Sequence, residues 1–189
     1  MRPAPPGRTF CRMSNPARAD WTLTEPSLIV RTETLPVQTM RPLQIVDLTP
    51  ALAACVQASG LHTGLVNVQV LHTTMGLMLN EWEPLLHEDL ARTLEALAPG
   101  DRAYRHDDLA RRVPAPPPDE RINGHAHCRA MVLRGSETLN VAGGALVLGR
   151  WQRVLLAELD GPQARSVSVA LLGSGQAGAG SAGGGGTPW

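Results

Sequence analysis

Three short runs hold the residue types that bind metals or move protons: His72-Thr73-Thr74, Arg105-His106-Asp107-Asp108 and Asn123-Gly124-His125-Ala126-His127. Imidazole titrates near neutrality and, when neutral, binds metal ions through a ring nitrogen. The runs lie too far apart in sequence for a helix-borne histidine pair, so only folding can bring them together. His72 closes the alternation Val66, Val68, Val70, which places it on the inward face of a strand. The competing reading is a buried neutral histidine bonded to a backbone carbonyl. His106 sits among charges at the mouth of a long loop. It is either part of a solvated cluster or a ligand whose tautomer a neighbouring carboxylate such as Asp107 fixes.

His125 and His127 admit two geometries. On a strand, residues two apart share a face and can chelate one ion. On a helix they diverge by about 200°, so only one enters a site. Asn123 as N-cap and Gly135 as terminator favour a short helix. Glu81, after Asn80, either caps a helix or serves the site. Glu158 shares a strand face with Val154 and Leu156, which is costly unless an arginine, a histidine or a metal pairs with it.

The elements that must position these side chains follow from periodicity. Ser27–Glu33 and Val37–Val46 read as two strands around a Pro36 turn. Thr49 caps a helix with Pro50 in its first turn, and Gly60 stops it. A strand over Leu65–His72 follows, then a helix from Glu83 to Ala98 with Leu86, Leu90, Leu94 and Leu97 on one stripe. The Pro- and Arg-rich stretch from Asp107 to Arg121 exceeds ordinary connections, and loops of that length tend to be functional or disordered. Glu137–Val141 and Ala145–Leu148 flank a Gly143-Gly144 hairpin turn. Trp151–Leu159 and Ser166–Leu172 are joined by an Asp160-Gly161-Pro162 turn. Strands without βαβ alternation predict an α+β fold, a mostly antiparallel sheet with two or three helices in a compact single domain over residues 21–173. Residues 1–20 and 174–189 read as disordered tails, and Met13 is a plausible alternative start.

Composition narrows the function. Formal net charge is zero, which removes the electrostatic case for a nucleic-acid partner. All 17 basic residues are arginine, so a phosphate site must rely on guanidinium and backbone N–H groups. Three dispersed cysteines give neither a disulfide scaffold nor a CxxC motif. No apolar run is long enough for a bilayer, and the expected location is cytoplasmic, with no membrane partner.

In order, the chain reads His72-Thr73-Thr74-Met75-Gly76, Asn80-Glu81, Tyr104-Arg105-His106-Asp107, Asn123-Gly124-His125-Ala126-His127, Leu148-Gly149-Arg150-Trp151-Gln152 and Asp160-Gly161-Pro162. Each piece is weak alone, but the ordered set, over about residues 23–173, closely resembles the YjbQ-like family, also called the secondary thiamine-phosphate synthase family. Arg150, Met75 and Trp82 stand where that family usually has Thr, Ala and Asn.

The resemblance implies a homotrimer and a histidine pocket for a divalent metal ion of zinc or magnesium type, with His72, His106 and His127 around it. It also implies a weak ability to join a hydroxymethylpyrimidine diphosphate to a thiazole phosphate. For that chemistry Glu81, Asp107 and Glu158 are the candidate carboxylates. Arg129, Arg150 and Arg165 are the candidate contacts to a phosphate-bearing substrate. Two rival readings use the same site. One is metal-dependent hydrolysis; the other is a non-enzymatic trimeric module that binds a metal or ligand.

Overall fold

In a computed structural model of the chain, residues 27–175 are described; the tail assigned to 1–20, all but the first two residues of the tail assigned to 174–189, and the alternative start at Met13 lie outside them. Strand β1 (Leu28–Gln38) is followed by β2 (Ile45–Asp47) and helix α1 (Thr49–Ser59). Then come β3 (Leu61–Val70), β4 (Met75–Asn80) and α2 (Pro84–Leu97). After the long loop the chain continues through α3 (Gly124–Ala130), β5 (Ser136–Ala142), β6 (Ala145–Leu146), β7 (Arg153–Glu158) and β8 (Ala164–Gly175). The strands form two sheets, ordered β1-β8-β3-β5-β6 and β2-β7-β4, and every pairing is antiparallel.

The small sheet is the middle layer, and its sequence says so. In β7, Val154 and Leu156 join the core formed with Val66, Val68, Val167 and Val169 of the large sheet and Leu52 and Val56 of α1. The alternate residue Ala157, with Leu159 just beyond the strand, packs the other way, against Leu94 of α2 and Ala126 of α3. A strand buried on both faces reads as a continuous apolar run, which is what Val154–Ala157 is.

The large sheet's outer face is unusual. Its cross-strand rows run Val30–Leu172–Leu65–Asn140, Thr32–Ala170–Asn67–Thr138 and Thr34–Ser168–Gln69–Ser136, with no charged side chain in any of them. Val30, Leu172 and Leu65 are exposed.

Several boundaries differ from the sequence expectation. Pro36 does not break the first strand: β1 runs through it, because β1 is an edge strand with a neighbour on one side only. The strand expected at Ser166–Leu172 is longer: β8 lies between β1 and β3 and continues through Gly175 into the stretch assigned to the tail. His72 is not on β3, which ends at Val70; it lies in the exposed turn before β4. Thr49 is inside α1, not its cap: its N–H is accepted by Asp47 Oδ1 at 2.9 Å, and its hydroxyl accepts from Val154 N at 2.9 Å. Helix α2 is capped by Glu83, whose carboxylate accepts from Leu85 N and Leu86 N, and of its predicted stripe only Leu94 is fully buried.

One ion pair ties the sheets together. Glu158 ends β7 in the small sheet and Arg165 is the second residue of β8 in the large one, and both are buried. Arg165 donates from Nε to Oε2 and from Nη2 to Oε1, both at 2.7 Å, a bidentate fork. Glu158 also accepts from Asp160 N (2.9 Å), Gly161 N (2.8 Å) and the Thr39 hydroxyl (3.0 Å). Burial alone would raise this carboxyl; the Arg165 hydrogen bonds, then the two N–H groups, more than offset it and hold the pKa down to about 2. Gly161 allows this close turn, because a Cβ there would lie 2.7 Å from Glu158 Cγ.

Because the folded pKa lies below the ordinary carboxylate value, the pair stabilises the fold above pH about 4.5 and loses that contribution as pH falls towards 2. Glu158→Gln, which leaves Arg165 buried without a counter-charge, is expected to lower unfolding free energy at pH 7 by about 3–5 kcal/mol. In urea titrations the gap between wild type and variant should narrow steadily on acidification. A gap independent of pH would show that the carboxylate charge is not what stabilises this turn.

Candidate functional site

The loop from Asp107 to Arg121 folds back over the turn that carries His72. Together they form a cleft of about 190 Å³ lined by His72, Pro117, Asp119, Glu120, Arg121, Asn123, Asp160 and Gln163. Two short 3-10 turns, Arg105–Asp107 and Leu109–Arg111, begin the loop. An ion pair then closes it: Arg112 Nη1 donates to Glu120 Oε1 at 2.6 Å. A second pair pins its end, with Arg121 Nε donating to Asp160 Oδ1 and Arg121 Nη2 to the Asp160 carbonyl, each at 3.1 Å.

The histidine-bearing segment after the loop is helix α3, so the strand geometry does not apply. Asn123 occupies the cap position, but its side chain does not cap; Nδ2 donates to Asp160 Oδ2 at 3.1 Å and its buried Oδ1 has no partner among the described residues. The helix N-terminus is served by Asp107, whose Oδ1 accepts from Gly124 N at 2.8 Å. Gly124 is required there, since a Cβ would lie 2.5 Å from Tyr104 Cβ. This docking sets His106, adjacent to Asp107, against α3, and the His106 and His127 rings meet edge to face with centroids 4.5 Å apart. His125 diverges as helix geometry demands, towards Tyr104 at 6.4 Å between centroids. Burial and then Arg129 pull its pKa below the ordinary value.

His106 Nε2 is buried and has no hydrogen-bond partner among the described residues. Burial, then His106 and His72, push His127 below its ordinary pKa, and burial followed by the Arg165 charge does the same for His72. These two rings are therefore neutral at pH 7, the form in which an imidazole nitrogen can accept a proton or a cation. His72 is held from behind: Thr74 N donates to its Nδ1 at 3.2 Å, and the Thr74 hydroxyl lies 3.0 Å from the same nitrogen. Arg165 Nη2 donates to that hydroxyl at 2.9 Å, so the buried pair reaches the cleft through Thr74.

The remaining sequence candidates are placed as follows. Glu158 acts behind the cleft, as the partner of Arg165. Asp107 is spent on the α3 N-terminus. Glu81 sits at the β4–α2 junction and is not among the cleft-lining residues. Arg129 is buried, donating to the Ala98 carbonyl at 2.9 Å and paired with Glu95. Arg150 is exposed and stacks on Trp151, 4.8 Å from the ring centroid. Met75 is core and Trp82 packs on His87, so neither narrows the cleft. None of the three arginines presents a free guanidinium to the cleft. The cleft residues that the sequence reading left out are Asp119, Glu120, Arg121, Asp160 and Gln163. Asp160 was legible only as a turn residue, although it opens the last of the ordered motifs.

Comparison with known proteins identifies the family and the fold. The family described as UPF0047 protein YjbQ-like matches residues 33–174, and the chain belongs to that family. A UPF0047 protein of Methanothermobacter thermautotrophicus is 34% identical over 144 residues, covering 76% of this chain and 93% of its relative. A UPF0047 protein of Archaeoglobus fulgidus is 37% identical, covering 73% and 98%. Among solved structures, a YbjQ-like protein of unknown function from Sulfolobus solfataricus P2 superposes with a TM-score of 0.70 at 30% identity, covering 78% of this chain and all of that one.

Asp107→Ala removes the side-chain acceptor of the Gly124 N–H and is expected to cost about 1 kcal/mol of stability. It should also loosen α3 against His106, seen as loss of the ring-current shifts between His106 and His127 in proton NMR. Unchanged shifts would mean that the helix is held by packing alone.

Proposed function

We propose that this protein is a divalent-metal-dependent enzyme acting on a small phosphate-bearing substrate in the cleft that His72 lines, with the ion held by the neighbouring pair His106 and His127. The observation that carries the reading is the buried, partnerless Nε2 of His106 beside the His127 ring. An unsatisfied buried polar atom costs on the order of 1–3 kcal/mol, and a cation that binds it recovers that cost. Imidazole nitrogen is also a preferred zinc donor.

The donor chemistry fits an ion at His106 and His127. Among the described residues no group of three His, Cys, Asp or Glu side chains stands at metal-holding spacing, so the rest of the shell must come from rotated side chains, water or substrate. Glu120 is a carboxylate candidate: the Arg112 hydrogen bond holds its pKa below the ordinary value.

For the reaction we propose the condensation that the family resemblance implies, in which a divalent ion would neutralise the departing diphosphate. The loop from Asp107 to Arg121 would exclude water, and Asn123 and Gln163 would offer amide contacts. One observation supports metal-dependent hydrolysis as the second reading: Arg129, Arg150 and Arg165 are all engaged elsewhere, while Asp119, Glu120 and Asp160 line the cleft.

We also propose a homotrimer, because a sheet face free of charge with Val30, Leu65 and Leu172 exposed resembles the core of a protein interface. The proposed location is the cytoplasm. Among the described residues Cys55 and Cys128 are free, and no helix is long and apolar enough to cross a membrane.

Zinc titration should show His106→Ala and His127→Ala each weakening binding at least about tenfold, with His125→Ala close to wild type. Equal losses in all three would overturn the assignment. With metal supplied, assays with the pyrimidine diphosphate and thiazole phosphate are expected to give the coupled product. Release of phosphate from simple esters instead would establish the hydrolytic reading, and bound metal with neither activity would leave a binding module.

Light scattering at micromolar concentration should give three times the 20.2 kDa chain mass; a single-chain mass would refute the trimer.

A further inference from the structure

The backbone N–H behind His72 has a fixed direction, and that direction assigns which ring nitrogen carries the proton. Arg165 can only donate, so the Thr74 hydroxyl accepts from Nη2 at 2.9 Å and keeps its own proton free. That proton is available to His72 Nδ1 at 3.0 Å. The Thr74 backbone N–H, which also can only donate, points at the same nitrogen from 3.2 Å. Two donors on one nitrogen require a lone pair there. A neutral imidazole with its lone pair on Nδ1 has its hydrogen on Nε2.

A metal-bound histidine has the opposite arrangement. When Nε2 binds an ion, Nδ1 bears the hydrogen and donates it to a carboxylate, a carbonyl or water. Here such a hydrogen would face the Thr74 N–H and, behind the hydroxyl, the Arg165 guanidinium. The backbone N–H cannot be reversed by rotating a side chain. The arginine is locked in turn by its fork to Glu158.

We propose that His72 is not a metal ligand but a neutral hydrogen-bond donor, presenting Nε2–H from the wall of the cleft to a negatively charged oxygen of the substrate, such as a phosphate oxygen. Thr74 and Arg165 are positioning residues that fix its tautomer, and Glu158 fixes Arg165. A neutral imidazole can polarise or bind an oxygen in this way without bringing a full charge into the site. The assignment rests on the proposed metal reading only for its ligand: His106 and His127 keep the ion, and His72 faces what the ion binds.

Long-range proton–nitrogen NMR of the ¹⁵N-labelled full chain reads the tautomer directly. His72 should show a pyridine-type Nδ1 and a pyrrole-type Nε2 near neutral pH. Adding one equivalent of zinc should move the ring nitrogens of His106 and His127 and leave the His72 pattern in place. A pyrrole-type Nδ1, or a zinc-shifted His72 Nε2, would overturn the proposal while leaving the metal reading intact. If zinc shifts none of the rings, the metal reading fails and the tautomer result still stands by itself.

With zinc bound, inorganic phosphate serves as the probe. His72→Ala should weaken its binding roughly tenfold without changing zinc stoichiometry, and His72→Gln, which keeps a donor, should recover most of the loss. Loss of zinc in His72→Ala, or phosphate affinity indifferent to the substitution, would sink the donor role.

Discussion

The buried fork between Arg165 and Glu158 is the constraint on which the rest of the molecule turns. It joins the end of one sheet to the start of the other at the point where the chain crosses between them, and it is satisfied on every side. Charges in such a place are tolerated only when geometry is good and the remaining lone pairs are occupied. Meeting that condition fixes Thr39 at the end of β1, the Asp160-Gly161-Pro162 turn and Thr74 before β4. Asp160, placed by that turn, then orders Arg121 and Asn123, and with them the end of the long loop and the start of α3. The cleft is thus a consequence of how the sheets are fastened, and not a separate ornament on the fold.

This explains which parts could be read in the sequence. Periodicity found α1, α2, β3, the β5–β6 hairpin and the doubly buried β7, because each reports a local relation between a residue and the layer it faces. Their ends were harder. Pro36 signals a break when β1 is considered alone, and only the sheet order shows that an edge strand absorbs it. His72 was assigned to a strand face because Val66, Val68 and Val70 set a rhythm, but β3 stops at Val70 and the histidine lies in the turn.

The site shows the same division. The divergence of His125 and His127 followed from the helical reading of Asn123 to Gly135, and the acid on the apolar face of β7 did find an arginine. What sequence could not supply was the use of each polar group. Arg129 looked free for phosphate and is instead buried against Ala98 and Glu95. Asp107 looked like a partner for His106 and is the cap of α3. Glu120 and Arg112 were indistinguishable from loop composition until folding made them a pair. Pairing between distant charges leaves no periodic trace, so the residues that shape the cleft are the ones composition hides.

The wall of the cleft also bears on how tightly anything could be held there. Between the paired Arg112 and Glu120, four residues are proline: Pro114, Pro116, Pro117 and Pro118. Each fixes one backbone torsion in the unfolded and folded chain alike, so much of the disorder a long loop would otherwise lose is absent from the start. Ordering a mobile wall around a guest would draw about 1–2 kcal/mol per residue from the free energy of capture. In this loop that entropy has largely been surrendered during folding, and a guest's affinity can follow its direct contacts with His72 and with the amides and carboxylates of the cleft.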